Sequence, residues 1–234
     1  MILVEGSDLV ATGSDGVGAY RLKTCQFVAR SAVAPGALQG RTWAAVPLAG
    51  WSAATPFAAL EYWTLANDGT SVNRLDVSGA LLESFTFPDV PGNTYTSFGL
   101  DYDPVHDRFY AVLAPHVGPG DYQRLSFPRP PAGASSGAPL DSLTTPIPHP
   151  CAYAPAHSGV DALGNSVYAQ FDSSTNTDFR VCALSARSGE FTGLPFTWSV
   201  RAQRPNFSVL IPDDALYGLI VSDAVSVERY ARKL

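Results

Sequence analysis

The sequence predicts an all-β protein, and three observations carry that prediction. First, a short pattern returns five times, in which an arginine is followed at once by an apolar residue within a strand-like run. Second, another apolar run lies upstream of each arginine at a nearly constant distance. Third, no long segment shows a helical hydrophobic period with capping residues at its ends.

The five arginines mark the length of one repeating unit. They are separated by 53, 50, 56 and 49 residues and are Arg21, Arg74, Arg124, Arg180 and Arg229. The key residue of each upstream run lies 12, 12, 14, 12 and 12 residues earlier, at Leu9, Tyr62, Tyr110, Tyr168 and Tyr217. Two registers that agree five times indicate five copies of one unit, and a period of about 50 residues is typical of propellers and similar arrays.

Each unit contains up to four short strands joined mostly by tight turns. In the second unit the runs Ala59–Leu65, Val72–Val77 and Leu81–Phe87 are separated by Asn67-Asp68-Gly69 and Ser78-Gly79. A meander of four antiparallel strands in each repeat is the blade of a β-propeller. The sequence therefore predicts a single domain over residues 1–234, a β-propeller with five blades of antiparallel four-stranded sheets.

The repeated residues carry an expectation about which side chains are buried. We expect Tyr110, Tyr168 and Tyr217 to be buried, because wide aromatic side chains fill the space between sheets well. We expect Arg74, Arg124 and Arg229 to face solvent on the third strand of their units.

The last unit leaves the closure of the ring open, since little of the chain follows the run Val225–Ala231. Closure needs either a three-stranded last blade or the N-terminal residues Met1–Val4 as its missing strand. We expect the second arrangement, because strands contributed by both ends of the chain would remove an exposed sheet edge.

Composition narrows the possible partners. Hydrophobic residues make up 46% of the chain, enough for a large core, and charged residues only 15%, against about 25% in average soluble domains. The net charge is −6, and the 15 lysines and arginines are spread along the chain. Without a basic patch to follow a phosphate backbone, nucleic acid is not an expected partner.

The start of the chain and the cysteines suggest a cytoplasmic product. The first residues lack the basic leader and apolar stretch of a signal peptide, and no run approaches the roughly 18 apolar residues of a membrane span. Cys25, Cys151 and Cys182 are an odd number of widely spaced cysteines, which indicates free thiols. We therefore expect synthesis in the cytoplasm without a signal peptide.

One stretch breaks the repeat. Residues Pro128–Pro150 are rich in Pro, Gly, Ala and Ser and are too long for a hairpin, so they should replace or distort the fourth strand of the third unit. A loop of this kind is either a solvated connection or a surface that contacts a partner. The candidate interaction residues in it are Arg129, Pro130, Pro131, Ser135, Ser136 and Asp141.

Two carboxylates are the best candidates for chemistry. Asp101 and Asp161 follow Gly99-Leu100 and Gly159-Val160 at matching places in the first strands of the third and fourth units. First strands line the central channel, where paired carboxylates could catalyse glycoside hydrolysis or bind Ca²⁺. The alternative is that each carboxylate accepts hydrogen bonds from a turn or a neighbouring strand.

Other catalytic or metal motifs are absent from the sequence. His149, Cys151 and His157 could supply three metal ligands, yet the prolines around them favour a turn over a zinc site. The chain contains no glycine-rich phosphate loop, and no Gly-x-Ser-x-Gly sequence in it lies between a strand and a helix, as a nucleophile elbow requires. The sequence predicts no metal and no other cofactor.

The segment Asp103-Pro104-Val105-His106-Asp107-Arg108-Phe109-Tyr110-Ala111 resembles the inter-strand turn of lactonase-type and related propellers. In those proteins an Asp-Pro turn precedes a strand that reads roughly Arg-aromatic-Tyr-Ala. A weaker echo occurs at Pro212–Gly218. Because the similarity covers one turn, it implies the fold and not the activity.

Taken together, these features favour a non-enzymatic structural or binding module. The low charge and the small neutral residues suit contact with other protein subunits in a large assembly, or with a cell-surface receptor. In general character the chain resembles a bacteriophage tail or other virion component. The alternatives are a hydrolase of a glycoside or lactone that uses Asp101 and Asp161, and a sugar-binding lectin.

Overall fold

The computed structural model describes side chains for residues 18–21, 24, 26–34, 37–38, 42–97, 99–116 and 122–147. Elsewhere it describes the backbone of individual strands. The described residues form strands, turns and irregular connections, and none of them forms a helix, so none could cross a bilayer as one.

The strands of the described residues follow one another along the whole chain. The first eight are β1 (Ile2–Leu3), β2 (Leu9–Thr12), β3 (Gly18–Arg21), β4 (Phe27–Arg30), β5 (Thr42–Pro47), β6 (Leu60–Leu65), β7 (Ser71–Leu75) and β8 (Leu81–Thr86). The next eight are β9 (Tyr95–Asp103), β10 (Arg108–Pro115), β11 (Gln123–Pro128), β12 (Leu143–Pro146), β13 (Pro155–Val160), β14 (Ser166–Asp172), β15 (Asp178–Ser185) and β16 (Phe196–Ser199). The last three are β17 (Phe207–Ile211), β18 (Ala215–Val221) and β19 (Val225–Ala231).

These strands pair as antiparallel meanders, which confirms the predicted fold class. The described strands form sheets β1–β4, β5–β8, β9–β12, β13–β16 and β17–β19, called here the first to the fifth sheet. Strand β9 lies beside β5 and β13, and β13 lies beside β17. First strands that neighbour one another around a common centre are the arrangement of a β-propeller. A closed ring of five blades within one domain stays a prediction.

The expected closure by the N-terminus is wrong. Ile2 pairs with Ala11 and Leu3 with Val10, so β1 belongs to the first sheet. The fifth sheet has three strands among the described residues. A connection as short as the one between Leu3 and Leu9 favours a hairpin with the next strand over pairing with a distant one.

Among the side chains that the structure describes, the larger hydrophobic core lies between the second and third sheets. Strand β6 is buried along its whole length, and β10 is buried from Phe109 to Ala114. The ring of Phe109 lies 5.0 Å from that of Trp63 and 5.1 Å from that of Phe127, centroid to centroid. Phe87 adds a ring 4.8 Å from Phe127. Aromatic side chains from facing sheets therefore join the two units, because neither can bury its apolar face alone.

A smaller core joins the first and second sheets. The connection after β4 buries Val33 and Leu38 against Leu60, Tyr62 and Leu75 of the second sheet. Within it, the Ser31 hydroxyl lies 2.7 Å from the hydroxyl of the fully buried Tyr62. The polar end of the tyrosine is thus satisfied inside an apolar cluster, as buried hydroxyl groups require.

The predicted burial is confirmed for a repeated tyrosine, but the predicted exposure is wrong for the arginines that the structure describes. Tyr110 is buried, which confirms the expectation for this side chain, and Tyr62, at the same place in the second unit, is buried as well. The expectation of exposed arginines is wrong for Arg124, which is 1% exposed, and for Arg74, whose side chain is 15% exposed. The side chains of Tyr168, Tyr217, Arg180 and Arg229 lie outside the described residues.

The position of Arg124 explains its burial. Strand β11 lies between β10 and β12, so Arg124 has a strand of its own sheet on either side and does not lie at a sheet edge. The Arg124 guanidinium lies over the Tyr110 ring, 5.6 Å from its centroid, and Nη2 is 3.5 Å from Thr145 Oγ1. Burial lowers the pKa of the Arg124 guanidinium.

Candidate functional site

The irregular stretch of the third unit is shorter than the sequence suggested, because it contains the fourth strand of its sheet. Leu143 pairs with Ser126 and Pro146 with Gln123, so β12 completes the third sheet. We expected the stretch to replace or distort the fourth strand, and replacement is wrong, because β12 is present. Residues 129–142 remain as the connection between β11 and β12, and we call them the clasp.

The clasp leaves the third sheet and lies along the outer edge of β8 in the second sheet. Gly137 N–H donates to the Ser84 carbonyl at 2.6 Å, and Leu140 N–H donates to the Thr86 carbonyl at 2.9 Å. In the other direction, Ser84 N–H donates to Ser136 Oγ at 3.0 Å and Thr86 N–H donates to the Ala138 carbonyl at 3.3 Å. The outward backbone groups of Ser84 and Thr86 are therefore occupied by the same chain.

Two consecutive turns give the clasp its shape. Ala134 N–H donates to the Pro131 carbonyl, and Ala138 N–H donates to the Ser135 carbonyl. Gly133 and Gly137 occupy the third position of these turns with φ of 77° and 83°. A type II turn needs a positive φ at that position, which glycine adopts without steric cost. The glycines that mark this segment as a loop in the sequence thus fold it back onto β8.

A network of charged side chains fixes the start of the clasp. The carboxylate of Glu61, on β6, accepts from Arg74 Nε at 2.6 Å, from Trp63 Nε1 at 2.8 Å and from Arg129 Nη1 at 3.3 Å. Arg129 Nε also donates to Asp107 Oδ1 at 2.7 Å. Glu61 is 2% exposed, so its charge requires these partners.

The network extends in both directions from Glu61. Arg74 Nη1 lies 3.0 Å from Glu83 Oε2, and Glu83 Oε1 accepts from Gly133 N–H of the clasp at 2.9 Å. At the other end, Tyr102 donates its hydroxyl to Asp107 Oδ1 at 2.6 Å. Burial, together with this carboxylate, raises the pKa of Tyr102. Burial alone would lower the pKa of Arg129, but the bonds to Asp107 raise it above its ordinary value.

The candidate interaction residues all lie on the clasp, but they differ in burial. Pro130 is buried, and Arg129 is partly buried within the charged network. Pro131, Ser135, Ser136 and Asp141 are exposed. Ser136 and Arg129 thus contact the second sheet of their own chain. Contact with a partner stays a prediction.

Of the two carboxylates proposed for the channel, the structure describes one. Asp101 is partly buried on β9, opposite Tyr110 in the β9–β10 register. Asp161 lies outside the described residues. Strand β13, which ends at Val160, lies beside β9.

The Asp-Pro turn uses its carboxylate for structure. Asp103 is fully buried, and its Oδ1 accepts from Val105 N–H at 2.8 Å and His106 N–H at 3.3 Å. Its Oδ2 lies 2.7 Å from His106 Nδ1. Within the described residues no group of three His, Cys, Asp or Glu side chains could hold a metal ion. The side chains of His149, Cys151 and His157 lie outside that part.

Large apolar side chains are exposed on the outermost strands of three sheets. Phe27 on β4 is 52% exposed, Leu81 and Leu82 on β8 are 61% and 50% exposed, and Leu143 on β12 is 50% exposed. We call these four residues the rim. Neither the rim nor Glu61 was predicted, although a lone carboxylate within the apolar run Leu60–Leu65 is a signal for a buried ion pair.

Comparisons with known proteins add no family to these observations. No protein-family model matches the sequence, and no curated protein matches it. Among solved structures, hydrazine synthase of Kuenenia stuttgartiensis aligns at a TM-score of 0.48 and 14% identity, over 95% of this chain and 55% of that chain. A chain of the nidogen/laminin complex aligns at a TM-score of 0.49 and 9% identity, over 99% of this chain and 78% of that chain.

A third neighbour is regucalcin, a calcium-binding protein of Agrobacterium tumefaciens, at a TM-score of 0.45 and 12% identity, over 93% of this chain and 67% of that chain. The chain thus spans about half the length of the first of these proteins. At TM-scores below 0.5 these similarities carry no argument about ligand or activity. The propeller assignment depends on the strand order of the chain itself.

Proposed function

We propose that this protein is a non-enzymatic structural or binding module that contacts other protein subunits through its rim. The observation that carries the proposal is the exposure of Leu81, Leu82, Phe27 and Leu143 on the outermost strands of three sheets. Single exposed apolar residues are ordinary, but Leu81 and Leu82 are exposed side by side on an edge strand. Edge strands are usually protected by charged residues, prolines or a covering segment.

The geometry of β8 brings two of these side chains to the surface together. Leu75 of β7 pairs with Leu81 and Arg74 pairs with Glu83, so Leu82 is an extra residue in a β-bulge. A bulge re-aims the side chains beside it. Leu81 and Leu82 are both exposed as a result, although neighbouring strand residues ordinarily face opposite sides.

The charged side chains of the second and third sheets favour binding over catalysis. Arg74 and Arg129 both bond to Glu61, and the carboxylate of Asp103 accepts from the backbone of its own turn. These groups therefore stabilise the fold. A hydrolase would depend on the pair Asp101 and Asp161, for which the described geometry supplies no added support.

The finer form of the proposal is a virion component, such as part of a bacteriophage tail. It is supported by the low content of charged residues and by the apolar rim, which suit permanent contact between subunits. A receptor at a cell surface is the second kind of partner that such a component would contact.

The proposal is tested by the size of the particle that contains the protein in its native cell. We expect the wild-type protein to sediment in a large particle and the double variant Leu81→Ser/Leu82→Ser to sediment as free protein. Val105→Ser is the matched control, because Val105 is 52% exposed but lies in the turn between β9 and β10. Sedimentation of the wild type as a free monomer, or identical behaviour of all three proteins, would contradict the proposal.

A further inference from the structure

The outer edge of β8 is divided into two parts. Its second half, Ser84–Thr86, is covered by the clasp, whereas its first half carries the exposed Leu81 and Leu82. We propose that the whole edge is a binding site for an extended polypeptide strand, which displaces the clasp and pairs with β8 from Leu81 to Thr86. This inference rests on the proposed function, because it names what the rim of the second sheet binds.

The clasp itself shows that this edge accepts a strand. Thr86 and Pro139 form a bridge of parallel strands, with Leu140 N–H donating to Thr86 on one side. Backbone pairing of this kind is how extended peptides add to an exposed sheet edge. Pro139 has no N–H to offer outward, so the clasp ends the sheet where an ordinary strand would extend it.

The clasp has few of the contacts that would make it permanent. Most of its side chains between Ala132 and Pro139 are exposed, and only Ala134, Ala138 and Leu140 pack partly against the core. Segments held mainly by exposed backbone hydrogen bonds open locally at a lower cost than the core around them. The clasp is therefore suited to exchange with a competitor.

A competing strand gains what the clasp does not provide. The clasp reaches Glu83 only through Gly133 N–H and leaves Leu81 and Leu82 exposed. A partner strand with apolar side chains opposite these leucines would cover them and also replace the bonds at Ser84 and Thr86. The ligand is thus an extended segment of another protein, apolar at one end and rich in small residues at the end that replaces Ser136 and Gly137.

Native-state hydrogen exchange tests the opening of the clasp without any substitution. We expect the amides of Ser84, Thr86, Gly137 and Leu140 to exchange at least tenfold faster than that of Phe85, and at a rate insensitive to low denaturant. Phe85 is the internal control, because alternation turns its N–H toward β7. Exchange of all five amides only by global unfolding would overturn the inference.

Binding is tested with a synthetic peptide that has the sequence of residues 134–141. The host is a variant that lacks residues 132–139, which retains eight residues between the paired Ser126 and Leu143, enough for a hairpin. We expect this variant to bind the peptide at least tenfold more tightly than the wild type does. A peptide in which proline replaces the glycine equivalent to Gly137 should not bind, because it lacks the donor to Ser84.

A locked clasp provides the complementary test. A disulfide between Thr86→Cys and Pro139→Cys, in a chain without its three natural cysteines, should abolish peptide binding until it is reduced. Peptide binding by the oxidised form, or its absence from a folded deletion variant, would overturn the inference. Failure here would leave the Leu81/Leu82 result of the proposed function intact, so the two hypotheses fail separately.

Discussion

Two connections cross to the second sheet, and they are held by different forces. The connection after β4 buries Val33 and Leu38 and places the Ser31 hydroxyl against that of Tyr62. The clasp instead contacts the exposed edge of β8 mainly through backbone hydrogen bonds, and only its first residues join the buried charged network around Glu61. One connection therefore belongs to the core, whereas the other lies on the surface.

A long-range contact that buries apolar side chains is expected to be permanent, whereas one that consists mainly of exposed hydrogen bonds is expected to be exchangeable. Apolar burial scales with the area removed from water, at roughly 25 cal/mol per Å². A backbone hydrogen bond at an exposed edge contributes only about 0.5–1.5 kcal/mol, because water can replace either partner. Substitutions in the first connection should therefore destabilise the whole protein, and those in the clasp should act locally.

The largest effect is expected at Tyr62. Tyr62→Ala removes a fully buried aromatic side chain, so the free energy of unfolding should fall by about 3–5 kcal/mol in denaturant titrations. Tyr62→Phe is the matched control, because it loses only the contact with Ser31 and should cost about 1 kcal/mol. Equal losses from the two variants would show that the hydroxyl, and not the ring, holds this connection.

A smaller loss is expected at Glu61. Glu61→Gln keeps the shape of the side chain but leaves Arg74 and Arg129 without their shared carboxylate, so stability should fall by about 2–4 kcal/mol. The exposed Asp107→Asn should cost at most about 1 kcal/mol, as surface ion pairs do. A Glu61→Gln variant as stable as the wild type in denaturant titrations would mean that the network does not anchor the clasp.

The smallest loss of stability is expected from alanine substitutions at two glycines with nearly equal backbone geometry. Gly79, with φ of 85°, would place an added Cβ 2.8 Å from Ala37 Cβ, whereas Gly137, with φ of 83°, would meet nothing within 4 Å. Gly137→Ala should therefore cost about 1–2 kcal/mol for the left-handed conformation alone, and Gly79→Ala should cost more. Thermal unfolding measures both, and the reverse order would mean that the clasp is the more tightly packed connection.

Local residue patterns were enough to predict most strands and their order along the chain. The runs around Tyr62 and Tyr110 became β6 and β10, and both tyrosines are buried, because alternation, turn residues and apolar content act over short stretches of chain. The Asp103-Pro104 turn likewise formed from its own residues, with the carboxylate bonded to the backbone two and three positions later.

The surroundings of the charged residues and of the clasp depend instead on contacts between segments that are far apart in the sequence. Arg74 and Arg124 were predicted to face solvent. Arg74 instead bonds to the buried Glu61, and Arg124 is buried on β11, which is a central strand of its sheet. Pro128–Pro150 was predicted to be a loop. Ser136 in this stretch nevertheless accepts a hydrogen bond at a sheet edge from Ser84, which is 52 residues away in the sequence. Contacts between distant segments depend on how sheets stack, and no local pattern of residues contains that information.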